Sequence, residues 1–320
     1  MVQRIFPSWG IDASKREIIE IETTMPFSLE RYVDGGRSKR VVFVPPIINH
    51  PWILDMRPEI SIIRRFCERS FDVYMIRWDC DDTGDLGFYE MVSFITAVME
   101  RIGRASIFGY CTGGIISLLF ASCYPKLTNS LSLLATPVDF SGSDVRILWG
   151  RYFDVRSLRR LFKNVPGETV NAIGAALLYY HLPQFLAKKE FIEEITSPEV
   201  IFDYWRRLRW IVDTPLIPGK AYEEFICGCY KANSLIRNEM KINGHRVDLK
   251  NIDIPILNIM AAFDHIVPMN AVRHLGDVAS SSQYEEIIFP STHVGLSVSE
   301  KAHYELWPRV TAWVDENHLR

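Results

Sequence analysis

The stretch Ala105-Ser106-Ile107-Phe108-Gly109-Tyr110-Cys111-Thr112-Gly113-Gly114-Ile115-Ile116-Ser117-Leu118-Leu119-Phe120-Ala121 decides the fold. Ala105 to Phe108 is a short apolar run with strand character. Ile115 to Ala121 has helical character. Between them lies Gly-x-Cys-x-Gly-Gly. Strand, glycine, nucleophile, glycine, helix predicts a nucleophile elbow, a sharp turn that lifts one reactive side chain above a sheet. Serine is the usual occupant. Cys111 keeps the geometry and changes the intermediate from an ester to a thioester.

The glycines follow from crowding. Side chains two residues either side of the nucleophile would collide, so Gly109 and Gly113 are required, and Gly114 extends the permissive turn. Cys111 then sits over the N-terminus of the next helix. Unpaired N–H groups there favour a thiolate and can donate to a developing oxyanion. A cysteine before a glycine-rich turn is also compatible with plain packing. The partners found below weigh against that reading.

At 320 residues, 48% hydrophobic and 23% charged, the chain has the composition of an ordinary globular protein. A net charge of −3 gives no footprint for nucleic acid. No apolar stretch approaches a membrane span, and Met1 to Phe6 lacks a signal-peptide core. These features predict a cytoplasmic protein with its six cysteines reduced. Cys227-Gly228-Cys229 is too cramped for half a zinc site, so no metal is expected. Cys67, Cys80, Cys123 and this pair read as packing or incidental residues.

Outward from the elbow, Val41–Val44, Phe71–Ile76, Leu131–Ala135, Ile256–Met260 and Glu286–Phe289 read as further buried strands, and Ile60–Arg69 as a helix. Ser14 to Tyr32 can hold one or two edge strands. Alternating strands and helices predict an α/β fold with a mostly parallel, doubly wound sheet. The rhythm breaks in the middle of the chain. Residues 140–249 read as an inserted, mainly helical cap, and 1–139 with 250–320 as the core domain. The cap is rich in aromatics, among them Trp149, Tyr152, Phe153, Tyr179, Tyr180, Phe185, Phe202, Tyr204, Trp205 and Trp210. Most fit ordinary core, and a few can line an acyl channel. Arg156, Arg159, Arg160 and Lys163 read first as a solvated helix face, and second as a lure for phosphates.

A nucleophile needs a base, and the base an orienting acid, in the chain order nucleophile, acid, histidine. His293 follows the last strand signal. Asp264 leaves the strand before it. His265 is adjacent to that acid and poorly placed to face it. His50, His181, His245, His274, His303 and His318 lie away from the expected strand ends. One oxyanion donor should be the Thr112 N–H. The second should come from the loop after Val41–Val44, where Pro45 and Pro46 cannot donate. That leaves Ile47 or Ile48.

These residues resemble a known family. Gly109–Gly114 is similar to the Gly-x-Cys-x-Gly-Gly box of polyhydroxyalkanoate synthases, and the chain is most like their short, two-subunit type. Val44-Pro45-Pro46-Ile47-Ile48-Asn49-His50-Pro51-Trp52-Ile53-Leu54-Asp55 resembles the family's proline-rich oxyanion segment. Thr136–Phe140, Val165–Glu168, Trp210–Asp213 and Tyr230–Asn233 are similar to its cap signatures, and Pro255–Pro268 to its acid segment. The resemblance implies an α/β-hydrolase fold, with Cys111 as nucleophile, His293 as base and Asp264 as orienting acid. It implies polymerisation of an (R)-3-hydroxyacyl-coenzyme A into a polyester in cytoplasmic granules. Coenzyme A is then part of the substrate, and no separate cofactor is needed. Implied partners are the growing chain, the granule surface, and a second synthase subunit or a second copy. A thioesterase or polyester hydrolase with the same triad, or a non-catalytic granule protein, are the alternatives. Two stretches depart from the family pattern. Arg77–Asp82 replaces an acidic-Trp-Gly-x-Pro-Asp segment, and Ser291-Thr292 stands where two glycines usually precede the histidine.

Overall fold

A computed structural model describes residues 14–32, 39–80, 85–142, 145–171, 202–203, 206–207, 209–210 and 213–318. Tyr179, Tyr180, His181, Phe185, Tyr204 and Trp205, named above, lie outside the described residues, as do Asp81 and Asp82. Eight strands form one sheet: β1 (Arg16–Ile19), β2 (Ser28–Tyr32), β3 (Lys39–Val44), β4 (Phe71–Arg77), β5 (Ala105–Tyr110), β6 (Thr128–Leu134), β7 (Ile256–Ala261) and β8 (Tyr284–Phe289). Their spatial order is β1-β2-β4-β3-β5-β6-β7-β8. From β4 to β8 every pairing is parallel, while β1 and β2 join antiparallel at one edge.

The central strands are continuous apolar runs because both faces of the sheet are covered. Helices α2 (Phe88–Ile102) and α3 (Thr112–Cys123) pack on one face with Phe94, Ile95, Leu118 and Leu119. Helix α1 (Ile62–Glu68) and a C-terminal helix (Trp307–Glu316) pack on the other, where Phe43, Phe66, Phe108 and Trp307 form an aromatic core. Edge strand β8 shows the opposite logic. Its residues alternate, and Ile288 is half-exposed. An edge strand has only one neighbour and one well-covered face.

Strand β6 ends at Leu134, and Ala135 turns off with φ +46°. The chain then crosses into residues 140–249. Among the described residues these include α4 (Val145–Tyr152), α5 (Val155–Leu161) and α6 (Gly219–Glu224), the last widening into π-helical geometry over Phe225–Lys231. Phe140 packs on Tyr230 with ring centroids 4.7 Å apart, and Tyr230 also lies against Gly150. Polar contacts tie this region to the sheet domain. Asn233 accepts the Phe140 N–H at 2.9 Å and donates to Asp139 at 2.8 Å. Trp210 Nε1 donates to the His50 carbonyl at 2.7 Å. Glu224 accepts the Phe88 N–H at 2.6 Å, satisfying an orphan donor at the start of α2. Arg159 bonds Asp85 and Glu223, so it is not part of a merely solvated face.

Candidate active site

The elbow forms where β5 meets α3. Cys111 takes φ +53°, a left-handed conformation that L-residues adopt only under constraint. The constraint is visible. The Cys111 N–H donates to the Leu134 carbonyl at 2.9 Å, and its own carbonyl accepts the Gly114 N–H at 3.0 Å. The glycines fill no-clearance positions. A Cβ on Gly109 would meet Gly114 Cα at 2.5 Å, and one on Gly113 would overlap the Val44 carbonyl. Gly114 likewise lies directly against the Thr136 hydroxyl. The apolar body of α3 is buried nearly throughout, which anchors the turn.

Two loops bring the partners. His293 follows β8, and Asp264 follows β7. The loops are laced by backbone bonds from Ala262 N to the Phe289 carbonyl (2.9 Å) and from Phe263 N to the Ser291 carbonyl (3.0 Å). His293 Nδ1 lies 2.8 Å from Asp264 Oδ2, with both side chains buried. Asp264 Oδ1 accepts the N–H groups of Ile266 and Val267, each at 2.8 Å. Three donors thus hold this carboxylate in place. With Nδ1 donating to Asp264, Nε2 carries the lone pair. The Cys111 thiol is a neighbour whose interaction helps raise the proton affinity of this ring.

The charge balance favours a strongly basic imidazole. Burial alone pulls His293 down. Tyr110, the Asp264 carboxylate, and hydrogen bonds with Asp264 and Cys111 outweigh it, so His293 titrates well above its ordinary value. Such a base is suited to take a proton from a thiol, whose unperturbed pKa is about 8.5.

Thr112 and the Ile47–Ile48 segment complete the geometry. The Ile47 N–H donates to Thr112 Oγ1 at 3.0 Å, and both residues are buried. That amide is therefore engaged. No hydrogen bond of the Ile48 N–H is seen among the described residues. A cleft of about 190 Å³ opens beside this loop, lined by Pro45, Ile47, His50, Trp78 and Leu216 among others.

Ser291 and Thr292 have a structural role. Thr292 Oγ1 accepts the Gly295 N–H at 3.2 Å, where the helical turn Gly295–Val298 begins. The remaining histidines serve elsewhere. His303 is buried and donates to the Ser297 carbonyl at 2.8 Å, and buried His318 lies 3.2 Å from Ser106 Oγ. His50 faces Asp213 at 3.8 Å. None of the six cysteines is in a disulfide. Among the described residues no cluster of three or more His, Cys, Asp or Glu side chains is arranged to hold a metal ion, and no helix is long and apolar enough to cross a membrane.

The pattern missed two contacts. Tyr110 stacks on the His293 ring, and the Thr112 hydroxyl binds the Ile47 amide. Strand alternation carries a signal for the first, since it places Phe108 and Tyr110 on one face. No local signal exists for the second, which joins residues 65 apart.

The fold, the elbow and the chain order of its partners agree with a family model described as the alpha/beta hydrolase fold, which matches residues 69–299. The chain belongs to the α/β hydrolase fold family. Two solved structures of this fold superpose over most of the chain. They are the Paleococcus ferrophilus monoacylglycerol lipase (TM-score 0.59, 14% identity, 92% of this chain and 100% of that one) and DcsB in complex with its substrate analogue (TM-score 0.60, 12% identity, 96% and 100%). At these identities the likeness speaks for the fold alone.

Within the α/β hydrolases, the curated relatives carry a narrower name. The chain is 33% identical to the poly(3-hydroxyalkanoate) polymerase subunit PhaC of Haloarcula marismortui, over 86% of this chain and 60% of the relative. It is 29% identical to the subunit of the same name from Thiocystis violacea, over 86% of this chain and 80% of the relative. The chain thus spans about 60% of the length of the haloarchaeal relatives it matches.

Proposed function

We propose that this hydrolase-fold chain is a polyhydroxyalkanoate synthase that polymerises (R)-3-hydroxyacyl-coenzyme A through a thioester on Cys111. The observation that carries the reading is a cysteine, in place of serine, on a strained elbow backed by a buried His293–Asp264 pair. The names of its relatives support the same substrate class.

The chemistry balances step by step. His293 Nε2 takes the Cys111 proton as Sγ attacks the acyl carbonyl. The N–H groups of Thr112 and Ile48 receive the oxyanion. The C–S bond to coenzyme A breaks, and the departing thiolate takes the proton back from His293. One thioester replaces another, so the acyl group stays activated. A hydroxyl of another hydroxyacyl unit then attacks. His293 accepts its proton and returns it to the Cys111 sulfur as the ester forms. Asp264 holds the imidazole tautomer and stabilises its cation. General-base help of this kind is worth ~10²–10⁴-fold, and loss of an oxyanion donor costs ~10²–10³-fold.

Water is the competing acceptor. The region over 140–249 acts as a cap that keeps it out during acyl transfer. Association with granules, and with a second synthase subunit or a second copy, belongs to the same reading.

The test incubates the purified chain with 3-hydroxybutyryl-coenzyme A, with and without a candidate second subunit. It measures thiol release and identifies the acyl product. Polymer supports the synthase. Free acid identifies a thioesterase or hydrolase, and no release under either condition identifies a non-catalytic granule protein. Cys111→Ala abolishes release; retained release overturns the assignment of the nucleophile.

A further inference from the structure

Tyr110 precedes Cys111, and its side chain points away from the nucleophile into the core layer that holds Phe108, Leu296, Val298 and Trp307. It is 1% exposed. Its ring lies on the His293 imidazole with centroids 5.3 Å apart and planes 26° from parallel. Its hydroxyl donates to the His293 carbonyl at 3.5 Å, the outer limit of a hydrogen bond. One side chain therefore touches both the ring and the backbone of the candidate base.

We propose that Tyr110 is a positioning residue that holds His293 in line with Cys111. This rests on the reading of His293 as the base, and it deepens that reading. His293 stands on a loop after an edge strand. Tyr110 stands at the end of β5 in the middle of the sheet. Because Tyr110 and Cys111 are covalently adjacent, stacking the base on Tyr110 ties the base-to-nucleophile distance to a buried central strand. Offset stacking also favours the cationic ring, since the tyrosine face is electron-rich.

The groups facing His293 are few. Asp264 comes from the loop after β7, and Cys111 and Tyr110 from the elbow. Asp264 bonds one ring nitrogen and fixes the tautomer. It leaves the ring free to pivot about that bond, and the Tyr110 face removes this freedom.

The test compares Tyr110→Phe with Tyr110→Leu in the full chain. It reads kcat, KM, the pH profile of thiol release, and the His293 titration by NMR of ring-labelled histidine. Tyr110→Phe keeps the stack and stays within about threefold of wild type in kcat. Tyr110→Leu lowers kcat about tenfold, leaves KM within twofold, and moves the His293 midpoint down by roughly half a unit to one unit. A folded Tyr110→Leu protein with an unchanged midpoint and profile overturns the proposal. If Tyr110→Leu does not fold, ring-to-ring NOEs between Tyr110 and His293 in the wild type decide, and their absence overturns it. The NMR titration needs no turnover, so failure of the synthase reading and failure of this one are distinguishable.

Discussion

The Ile47 amide donates to the Thr112 hydroxyl over 3.0 Å, joining the loop after β3 to the residue after the nucleophile. The bond has two consequences. It engages the Ile47 amide and, under the proposed reading, leaves that of Ile48 as the second oxyanion donor. It also makes a side chain of the elbow responsible for where that second donor stands. Thr112→Val keeps the shape and deletes the acceptor, leaving a buried N–H unpaired at a cost of about 1–3 kcal/mol. The expected result is a kcat about tenfold or more below wild type, with Thr112→Ser restoring most of it. Steady-state thiol release from 3-hydroxybutyryl-coenzyme A measures both. Equal kcat in Thr112→Val and wild type would mean that the loop is held by other contacts.

Asp264 raises the proton affinity of His293, so removing its charge must lower it. The sign follows directly. As the proposed base, His293 works only when unprotonated at the start, so the acid limb of the pH–rate profile tracks its titration. In Asp264→Asn that limb moves to lower pH. The maximal rate falls at the same time, on the order of 10³–10⁴-fold, because an amide no longer fixes the tautomer. Profiles of kcat/KM between pH 5 and pH 9 check the shift. A limb that stays put, or moves up, contradicts the charge argument.

How much of this was legible from the residues alone depends on the range of each interaction. The elbow is local: strand, glycines and helix lie within Ala105–Ala121, and crowding at Gly109 and Gly113 is a property of a tight turn. The chain order of Cys111, Asp264 and His293 follows from strand succession, so their meeting could be anticipated. Strand ends were readable only to within a few residues, because β6 begins at Thr128 on polar residues that are nonetheless buried. The engagement of the Ile47 amide was not readable at all. It turns on one hydroxyl meeting an amide 65 residues away in the sequence. Ser291-Thr292 departs from the paired glycines of the family pattern, and the Thr292 hydroxyl accepts the Gly295 N–H. Composition cannot distinguish an obstructive side chain from one whose oxygen meets an orphan N–H. Buried His303 and His318 carry no mark in the pattern either, since a histidine between apolar neighbours reads the same on a surface as in a core.

Gly113 lies where α3 passes closest to β3, and a Cβ there would overlap the Val44 carbonyl. Backbone cannot yield as a flexible side chain can. Gly113→Ala is therefore expected to lose upwards of about 2 kcal/mol of stability, among the costlier single substitutions. The same change moves the Thr112 amide away from the oxyanion. Thermal unfolding followed by circular dichroism should show a midpoint several degrees lower, and thiol release should fall by more than the loss of folded protein explains. A Gly113→Ala protein as stable and active as wild type would show that the β3–α3 contact can relax.

His303 gives a pH dependence of stability that is separate from catalysis. Burial chiefly, opposed by its bond to the Ser297 carbonyl and reinforced by the charges of Arg65 and Arg57, lowers it from 6.5 to about 4. The unfolded chain takes up the proton near pH 6.5, whereas the folded protein resists until about pH 4. The unfolded state thus binds more protons throughout that window, so stability is full above pH 6.5 and falls as pH drops toward 4. From these values the loss is about 3 kcal/mol by pH 4. Replacing His303 with Gln retains a donor for the Ser297 carbonyl and removes the titration. Urea unfolding at pH 7.5, 5.5 and 4.5 measures the difference between the two proteins. His303→Gln should be the less stable at pH 7.5 and should lose less on acidification, whereas parallel losses in both would place the acid sensitivity in other groups.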